Sequence, residues 1–310
     1  MTPSSGASHR FRLILSAGLL LAGAAVFAQF GGVGFGGGGG RSRGWGGSGE
    51  IYVGNDVKVT RDIPGRTVDV PMWENPKGFD HDSFVFARLR FDKAPGMGRG
   101  GGGWTTDLPD ADLNLSFRLQ QMTSIKVDPN GRVLRATDPE LANYPFLFAA
   151  APNSIWLSPD EILGLRNYLL NGGCMILTDY WGDQQLNAVE SLFRQVLPSL
   201  KFIELQLDHP LYRAVFPIED KGQVPQSDQG KRLEFQPDGP TWEDHGGDSQ
   251  TVHHRALFDE KGRLLVLGIH NSDHSDGWER EGESDYYFHR FSEKIAYPLA
   301  INTLVYMMTH

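Results

Sequence analysis

The sequence predicts an α/β domain with a doubly wound, mostly parallel sheet. Short apolar runs, typical of strands buried on both faces, alternate with amphipathic helical patterns. Residues 144–183 contain a complete strand–helix–strand unit, and residues 263–269 form a second buried run. Parallel strands joined by a helix need a right-handed crossover, and ligands collect beyond their carboxyl ends. We therefore look for function where residues 174–178 and 263–269 end.

The strand–helix–strand unit is defined by its apolar runs and by its helix signals. Residues 144–150 and 174–178 are short apolar runs of strand length. Between them, Ser158 can cap a helix, Pro159 suits the first turn, and Glu161 stands at the capping-box position. Asn171, Gly172 and Gly173 then end the helix.

The other elements follow from the same periodicities. Helices are predicted at 110–122, at 185–197, and at 293–308 with a kink or late start at Pro298. Strands are predicted at 84–91, 202–207, 255–259 and 263–269. Residues 128–131 have the composition of a hairpin turn between 125–127 and 133–134.

The N-terminus has the pattern of a signal peptide. His9, Arg10 and Arg12 precede an apolar run, and small residues end at Ala28, where we predict cleavage. The run is short and rich in Gly and Ala, so an uncleaved membrane anchor is the lesser alternative. No later segment is predicted to span a membrane. The expected location is periplasmic or secreted.

Four segments are predicted along the chain. They are the signal peptide at 1–28, a Gly-rich flexible linker at 29–50, a small N-terminal β-arm at 51–80, and the α/β domain at 81–310. The glycine spacing at 32–37 matches a dinucleotide-binding pattern only by composition, because no strand precedes it and no helix follows.

Charge and cysteine content exclude several classes of protein. The formal charge of -9 argues against nucleic acid as a partner, since phosphate contacts need clustered Lys and Arg. The single cysteine, Cys174, excludes an intrachain disulfide, and its place in an apolar strand predicts a buried, unreactive thiol. We predict no cofactor.

Acidic and aromatic residues follow the two buried runs, and parallel neighbours would bring them together. Asp179, Asp273 and Asp276 are the candidates for acid/base catalysis. Trp181 and Trp278 are expected to offer stacking surfaces for a sugar or ring. The competing interpretation is that these residues only cap helices and form turns. The predicted ligand-binding residues are Asp179, Tyr180, Trp181, Asp183, Asn271, Asp273, Asp276 and Trp278.

Metal and nucleophile motifs give little further support. The loop at 271–283 departs from the EF-hand pattern, so calcium is a minor alternative and no metal is predicted. The histidines are not organised by a zinc-binding motif. The sequence has no G-x-S-x-G elbow and no Walker A motif. We interpret Asp208 and His209 as a cap before Pro210 rather than as an acid/base pair.

A set of ordered motifs points to a known family. They are YPFLF at 144–148, TDYWG at 178–182, DHP at 208–210, the stretch NSD…DGWE at 271–279, and the pattern AY…IN…VY from 296 to 306. Over about residues 84–310, the chain resembles the domain-of-unknown-function family 4159. The resemblance implies a flavodoxin-like sheet similar to that of class I glutamine amidotransferases. It also implies an exported or membrane-attached protein, in a family without an agreed activity.

The amidotransferase comparison singles out Asp179. In those enzymes the nucleophilic cysteine lies on the sharp turn after the strand that corresponds to residues 175–178, and here Asp179 stands near that position. Cys174 lies at the other end of the strand, roughly 17 Å away in extended chain, and cannot replace it. Glutamine hydrolysis through a thiol is therefore disfavoured.

Two functions remain open at this point. We expect a noncatalytic domain of the cell envelope that binds an unidentified ligand or protein partner. The alternative is a hydrolase that acts on a carbohydrate or amide through a carboxylate pair.

Overall fold

The computed structural model describes residues 53–54, 56–66, 70–78, 82–96 and 103–310. The strands are β1 (Ala87–Leu89), β2 (Asp92–Lys93), β3 (Arg132–Leu134), β4 (Phe146–Ala150), β5 (Ile155–Trp156), β6 (Cys174–Thr178), β7 (Ile203–Glu204), β8 (His253–Phe258) and β9 (Leu264–His270).

The main sheet has seven strands in the order β3-β1-β4-β6-β9-β8-β7, and β2 and β5 form a separate antiparallel pair. The first five strands in this order are parallel to one another, whereas β8 is antiparallel to both of its neighbours.

Helices cover both faces of this sheet, which confirms the predicted α/β class with a mostly parallel sheet. The helices are α1 (Asp110–Met122), α2 (Pro159–Leu170), α3 (Gly182–Val196), α4 (Ser227–Arg232), α5 (His274–Glu279), α6 (Asp285–Tyr287) and α7 (Tyr297–Thr309). A π-helix, Phe288–Ala296, runs directly into α7. Pro298 lies in the first turn of α7, so the predicted late helix start is correct.

Successive side chains of the central strands point to opposite faces of the sheet, where they pack into two separate hydrophobic cores. Phe146 and Phe148 of β4 pack with residues of α1, α5 and α7 on one face. Leu147 and Ala149 of the same strand pack with α2 and α3 on the other face. The strands are therefore buried on both sides, as their continuous apolar sequence predicts.

The predicted signals around α2 match the structure. The Ser158 side chain accepts a hydrogen bond from the Glu161 backbone N–H, and the Glu161 side chain accepts one from the Ser158 backbone N–H.

The single cysteine, Cys174, is buried, as its place in an apolar strand predicts. Burial raises the pKa of its thiol to about 12 and keeps it protonated.

The hairpin predicted around residues 128–131 is wrong. A turn does form there, because the Asp128 side chain accepts a hydrogen bond from the Asn130 backbone N–H. However, Val127 forms a parallel bridge to Phe84, and β3 pairs in parallel with β1. The two flanking runs thus continue along the same partner strand instead of pairing with each other.

The N-terminal segment remains partly a prediction. The signal peptide and the Gly-rich linker lie outside the described residues. In the described parts of residues 51–80, the chain forms a 3-10 turn at Thr60–Asp62 and otherwise lacks helix or strand. Arg61 anchors it there by donating side-chain hydrogen bonds to the carbonyls of Pro129 and Val70. Across the described chain, no helix has both the length and the apolar character needed to cross a membrane.

A buried arginine joins β1 to the segment before α1. Arg88 is fully buried, and its Nε lies 3.0 and 2.9 Å from the two carboxylate oxygens of Asp112 in α1. Its Nη1 donates to the carbonyls of Trp104 at 3.2 Å and Thr106 at 2.7 Å. The guanidinium also lies over the Phe148 ring, 4.9 Å from the ring centre.

We predict that Arg88→Met lowers the free energy of unfolding by about 3–5 kcal/mol, because it leaves the Asp112 carboxylate buried without its cation. The double variant Arg88→Met/Asp112→Leu should recover part of this loss, since neither charge then remains buried. Urea unfolding followed by circular dichroism measures both.

The matched control is Arg194→Met. Arg194 lies 3.7 Å from Glu190 on the solvent side of α3, and its loss should change stability by no more than about 0.5 kcal/mol. A loss below about 1 kcal/mol for Arg88→Met would contradict the role assigned to this ion pair.

Candidate functional site

The two buried strands whose carboxyl ends were predicted to meet, β6 and β9, are neighbours in the sheet. β6 and β9 pair in parallel, with Ile176 opposite Leu267. The segments that follow them are hydrogen-bonded: the Asp179 N–H donates to the Ser272 carbonyl at 3.3 Å, and the Thr178 hydroxyl donates to the same carbonyl at 3.1 Å. The segments after β6 and β9 therefore leave the sheet at the same edge, where the parallel strands have their carboxyl ends.

Five acidic side chains meet at this edge, and we call them the carboxylate cluster. One oxygen each from Asp107, Asp276 and Glu279 lie within 4.8 Å of one another, and so do oxygens from Asp107, Asp179 and Asp273. Asp107 is common to both groups. At 4.8 Å, two ionised carboxylates repel by about 3.5 kcal/mol at an effective dielectric constant of about 20, so the ionised cluster is costly.

Backbone geometry places these side chains. Asp107 and Asp179 both have a φ of 60°, a left-handed conformation that is uncommon for residues other than glycine. Asp179 thus occupies a sharp turn between β6 and α3. Asp273 caps the short helix α5 by accepting from the Asp276 N–H at 2.9 Å. Helix α5 then directs Asp276 and Glu279, three residues apart, to the same side.

Four of these carboxylates are buried, and Asp179 is half-buried. Asp107 is 7% exposed, and its Oδ2 is buried without a hydrogen bond within the described chain. Asp276 accepts from the Ser227 N–H at 2.6 Å. Arg280 lies beside the cluster with its Nε 2.5 Å from Glu279, and Arg66 lies with its Nη1 3.8 Å from the same carboxylate. These guanidinium groups offset part of the negative charge of the cluster.

Burial and mutual repulsion raise the pKa values of the cluster. Burial, followed by the charge of Asp107, raises the pKa of Asp276 to about 7 and that of Glu279 to about 9, although Arg280 acts in the opposite direction on both. The pKa values of Asp179 and Asp273 are raised well above the usual range, first by burial and then by neighbouring carboxylates. The site therefore holds protons, or another positive charge, at neutral pH.

The predicted aromatic residues do not line an open site. Tyr180 and Trp278 are fully buried, and Trp181 is 1% exposed. Tyr180 stacks on His270, and Trp278 packs against Phe148 in the core. The expected stacking walls therefore do not form, because Trp278 and Tyr180 belong to the two hydrophobic cores. The buried Trp181 instead donates a hydrogen bond from its Nε1 to Asp179 at 3.3 Å.

Two predicted polar residues also lie apart from the cluster. Asp183 is exposed in the first turn of α3. Asn271 is buried, accepts from the Gly182 N–H at 2.8 Å, and donates to the carbonyls of Asp248 and Thr251. These hydrogen bonds connect the loop after β9 to the start of α3 and to residues 248–251, which is a structural role. Asp179, Asp273 and Asp276 are the predicted residues that the structure brings together.

Sequence reasoning missed Asp107 and Glu279. Asp107 follows a Gly-rich interruption rather than an apolar strand, so the strand-end argument could not reach it. Glu279 stands three residues after Asp276, and this helical spacing was the available signal. It was hidden because residues 270–279 look like a polar loop, whereas α5 is a buried helix.

His209 has the capping role expected from the sequence. Its Nδ1 accepts from the Leu211 N–H at 3.3 Å, ahead of a 3-10 turn at Pro210–Arg213.

The fold and the cluster define an α/β domain with an acidic site at the carboxyl edge of its parallel strands. The chain belongs to the family described as Domain of unknown function (DUF4159), whose model matches residues 85–308. The family resemblance inferred from the ordered motifs is therefore confirmed. Among curated proteins, none matches the chain.

We predict that the ligand-free chain becomes less stable as pH rises from about 7 to about 9, above the range in which histidine titrates. In this range the unfolded carboxyls are ionised, while the folded cluster retains protons, since the folded pKa of Glu279 is about 9. The folded state binds more protons, so its stability falls by roughly 1.4 kcal/mol per pH unit for each proton retained.

Urea unfolding across this range measures the slope. Glu279→Gln should make it shallower, because a group that titrates is replaced by one that does not. Glu190→Gln, on the outer surface of α3, should leave it unchanged. Stability that rises between these pH values would be incompatible with a protonated cluster.

Proposed function

We propose that this chain is an exported cell-envelope protein whose α/β domain binds a ligand at the carboxylate cluster, with a hard divalent cation in the bound state. The observation that carries the proposal is the pair of three-carboxylate groups that share Asp107, whose Oδ2 is buried and accepts no hydrogen bond from the described residues. All the offered atoms are carboxylate oxygens, the ligands favoured by Mg²⁺, Ca²⁺ and Mn²⁺.

The electrostatics favour a cation over an anionic or neutral ligand. A divalent ion would replace the protons that the cluster otherwise retains and would offset the repulsion between its members. Asp179 is half-buried, in contrast to the buried Asp107 and Asp273. A ligand that approaches from solvent can therefore reach the cation on the Asp179 side, while the buried carboxylates hold it from beneath.

Export is supported by the sequence alone. The basic start, the apolar run and the small residues before Gln29 are typical of a cleaved signal peptide, and an uncleaved anchor is the alternative. A periplasmic or secreted location places the cluster where free divalent cations are abundant. The unidentified ligand or partner is then a component of the envelope.

The finer fold assignment that we favour is flavodoxin-like and similar to class I glutamine amidotransferases. It is supported by the five parallel strands and by the turn at Asp179, whose φ of 60° follows β6 directly. Cys174 begins β6 with a protonated, buried thiol, so the thiol chemistry of those enzymes has no counterpart here. The scaffold is thus adapted to binding through carboxylates.

We expect calorimetric titration of the chelator-treated chain with Ca²⁺, Mg²⁺ or Mn²⁺ to show saturable binding in the micromolar to millimolar range. Asp107→Asn should weaken it at least about tenfold, because this residue belongs to both carboxylate groups. Because the cation displaces protons from the cluster, the measured binding enthalpy should differ between buffers of different ionisation enthalpy.

Asp183→Asn is the matched control, since it removes the same charge from an exposed position near the same edge. Binding should be unchanged in this variant. Absence of binding at millimolar cation, or equal affinity in wild type and Asp107→Asn, would rule out the proposed cation site.

The alternative function is a hydrolase that acts on a carbohydrate or amide. The position of Asp179 on the turn after β6 favours it, because such a turn exposes a reactive side chain. Asp179 would act as base or nucleophile, and the raised pKa of Asp276, about 7, suits a proton donor.

For this alternative, we expect turnover of envelope glycans or amides by the wild-type chain and a loss of about 10²–10⁴ in kcat for Asp179→Asn. Product analysis by mass spectrometry is the measurement. Cation binding without turnover of any substrate class would leave the noncatalytic binding function standing.

A further inference from the structure

A cavity of about 200 Å³ lies apart from the carboxylate cluster. It is lined by His254 of β8 and His274 at the start of α5, by residues 217–220 and Gly222 of the loop before α4, and by Lys294 of the π-helix. We call it the histidine cavity. No member of the carboxylate cluster lines it, and the function proposed above does not use it.

Its two imidazoles each have one nitrogen without a partner. His254 is 1% exposed and His274 is fully buried. His254 Nδ1 lies 2.7 Å from the Tyr212 hydroxyl, and His274 Nδ1 lies 3.0 Å from the Ser272 hydroxyl. In both residues, Nε2 is buried without a hydrogen bond within the described chain. Buried polar atoms are nearly always paired, so two such nitrogens on residues that line one cavity point to a ligand-binding role.

The hydrogen bonds at Nδ1 hold both imidazoles in place, by the Tyr212 hydroxyl at His254 and by the Ser272 hydroxyl at His274. A neutral ring whose other nitrogen is held by a hydrogen bond is the usual form of a metal-ligating histidine. At His274, the Ser272 oxygen also accepts from the Val224 N–H at 2.8 Å. Its own hydrogen can point to the Val224 carbonyl at 3.5 Å, so the oxygen can accept the Nδ1 proton and leave a lone pair at Nε2.

Two carboxylates stand at the mouth of the histidine cavity. Glu219 and Asp220 are exposed and line the same space, so either can turn inward as a further ligand. Lys294 is also exposed there, and its long side chain can extend into solvent. Two imidazoles and a carboxylate form a donor set suited to Zn²⁺ and its neighbours in the first transition row, and it differs from the all-oxygen set of the carboxylate cluster.

We propose that the histidine cavity binds a borderline transition-metal ion, represented by Zn²⁺, through Nε2 of His254 and His274, with Glu219 or Asp220 as a third ligand. The ring centres are 6.5 Å apart. A tetrahedral ion with Zn–N bonds of about 2.0–2.1 Å would bring the ring centres to roughly 5 Å, so binding draws the rings together by roughly 1.5 Å. This adjustment makes the expected affinity micromolar rather than that of a preformed structural zinc site.

The test is a zinc titration of the chelator-treated chain, purified without a histidine tag, against a competing chromogenic chelator. We expect one zinc ion with micromolar affinity. His254→Gln should weaken binding at least about tenfold, because a ligand nitrogen is lost. The double variant Glu219→Gln/Asp220→Asn should also weaken zinc binding while it keeps the urea midpoint of the wild type, because both side chains are exposed.

Two matched controls locate the ion. His253→Gln alters the neighbouring histidine of β8, which pairs instead with Glu204 and Asp248. Asp107→Asn alters the carboxylate cluster. Both should retain zinc binding at the histidine cavity. In ¹⁵N-detected NMR spectra, zinc should shift the Nε2 signals of His254 and His274 and leave that of His253 in place.

Three outcomes would overturn the assignment. They are no zinc binding at all, zinc binding that is lost in Asp107→Asn but kept in His254→Gln, and Nε2 signals that respond to inorganic phosphate but not to zinc. Ca²⁺ or Mg²⁺ binding at the carboxylate cluster should be unaffected by His254→Gln, so failure of one site can be distinguished from failure of the other.

Discussion

The buried guanidinium of Arg88 holds together the parts of the molecule from which the site is built. It leaves the centre of β1, pairs with Asp112 in α1, and donates to the carbonyls of Trp104 and Thr106. Asp107 follows Thr106 directly. A charge buried this deeply is tolerated only when paired and hydrogen-bonded, so its partners have little freedom to move. The position of Asp107, common to both carboxylate groups, therefore depends on a buried interaction between β1 and α1.

The remaining acidic residues are placed by the neighbouring ends of β6 and β9. Parallel pairing delivers both loops to one edge, where the Asn271 side chain after β9 accepts from the Gly182 N–H after β6. Its amide nitrogen donates to the carbonyls of Asp248 and Thr251, which ties in the loop before β8. Tyr180, Trp181 and Trp278 are buried close to these residues in the chain. Trp181 contacts the cluster directly, because its Nε1 donates a hydrogen bond to Asp179 at 3.3 Å. Buried surroundings of low polarity strengthen the electrostatic interactions between the carboxylates.

The carboxylate cluster and the histidine cavity share one short helix. Asp273 caps α5, His274 begins it, and Asp276 and Glu279 follow. Every residue of this helix is buried, and it packs between α1 and the π-helix. Helix α5 therefore presents oxygen ligands toward one space and an imidazole toward another. Concentrating polar groups in a buried element is costly for stability, and such costs are typical of sites kept for binding or catalysis.

The sequence by itself determined the elements with strong local patterns. The capping box at Ser158, the apolar run of β6 and the helical stripe of α1 depend on residues close together in the chain, so α/β alternation could be inferred from them. The proximity of Asp179 to Asp273 and Asp276 also followed, since parallel strands end at the same edge. The N-terminal signals at residues 1–28 support export from the sequence alone.

Only the tertiary structure decided which polar residues are buried and which partners they meet. Arg88 alternates with apolar residues in a pattern typical of a solvent-facing position, yet α1 and the segment before it cover that side chain. Asp107 reaches the cluster from a separate loop, and His254 meets His274 through the pairing of β8 with β9. These encounters join residues far apart in the chain. They depend on the packing of whole elements, for which a local pattern carries no signal.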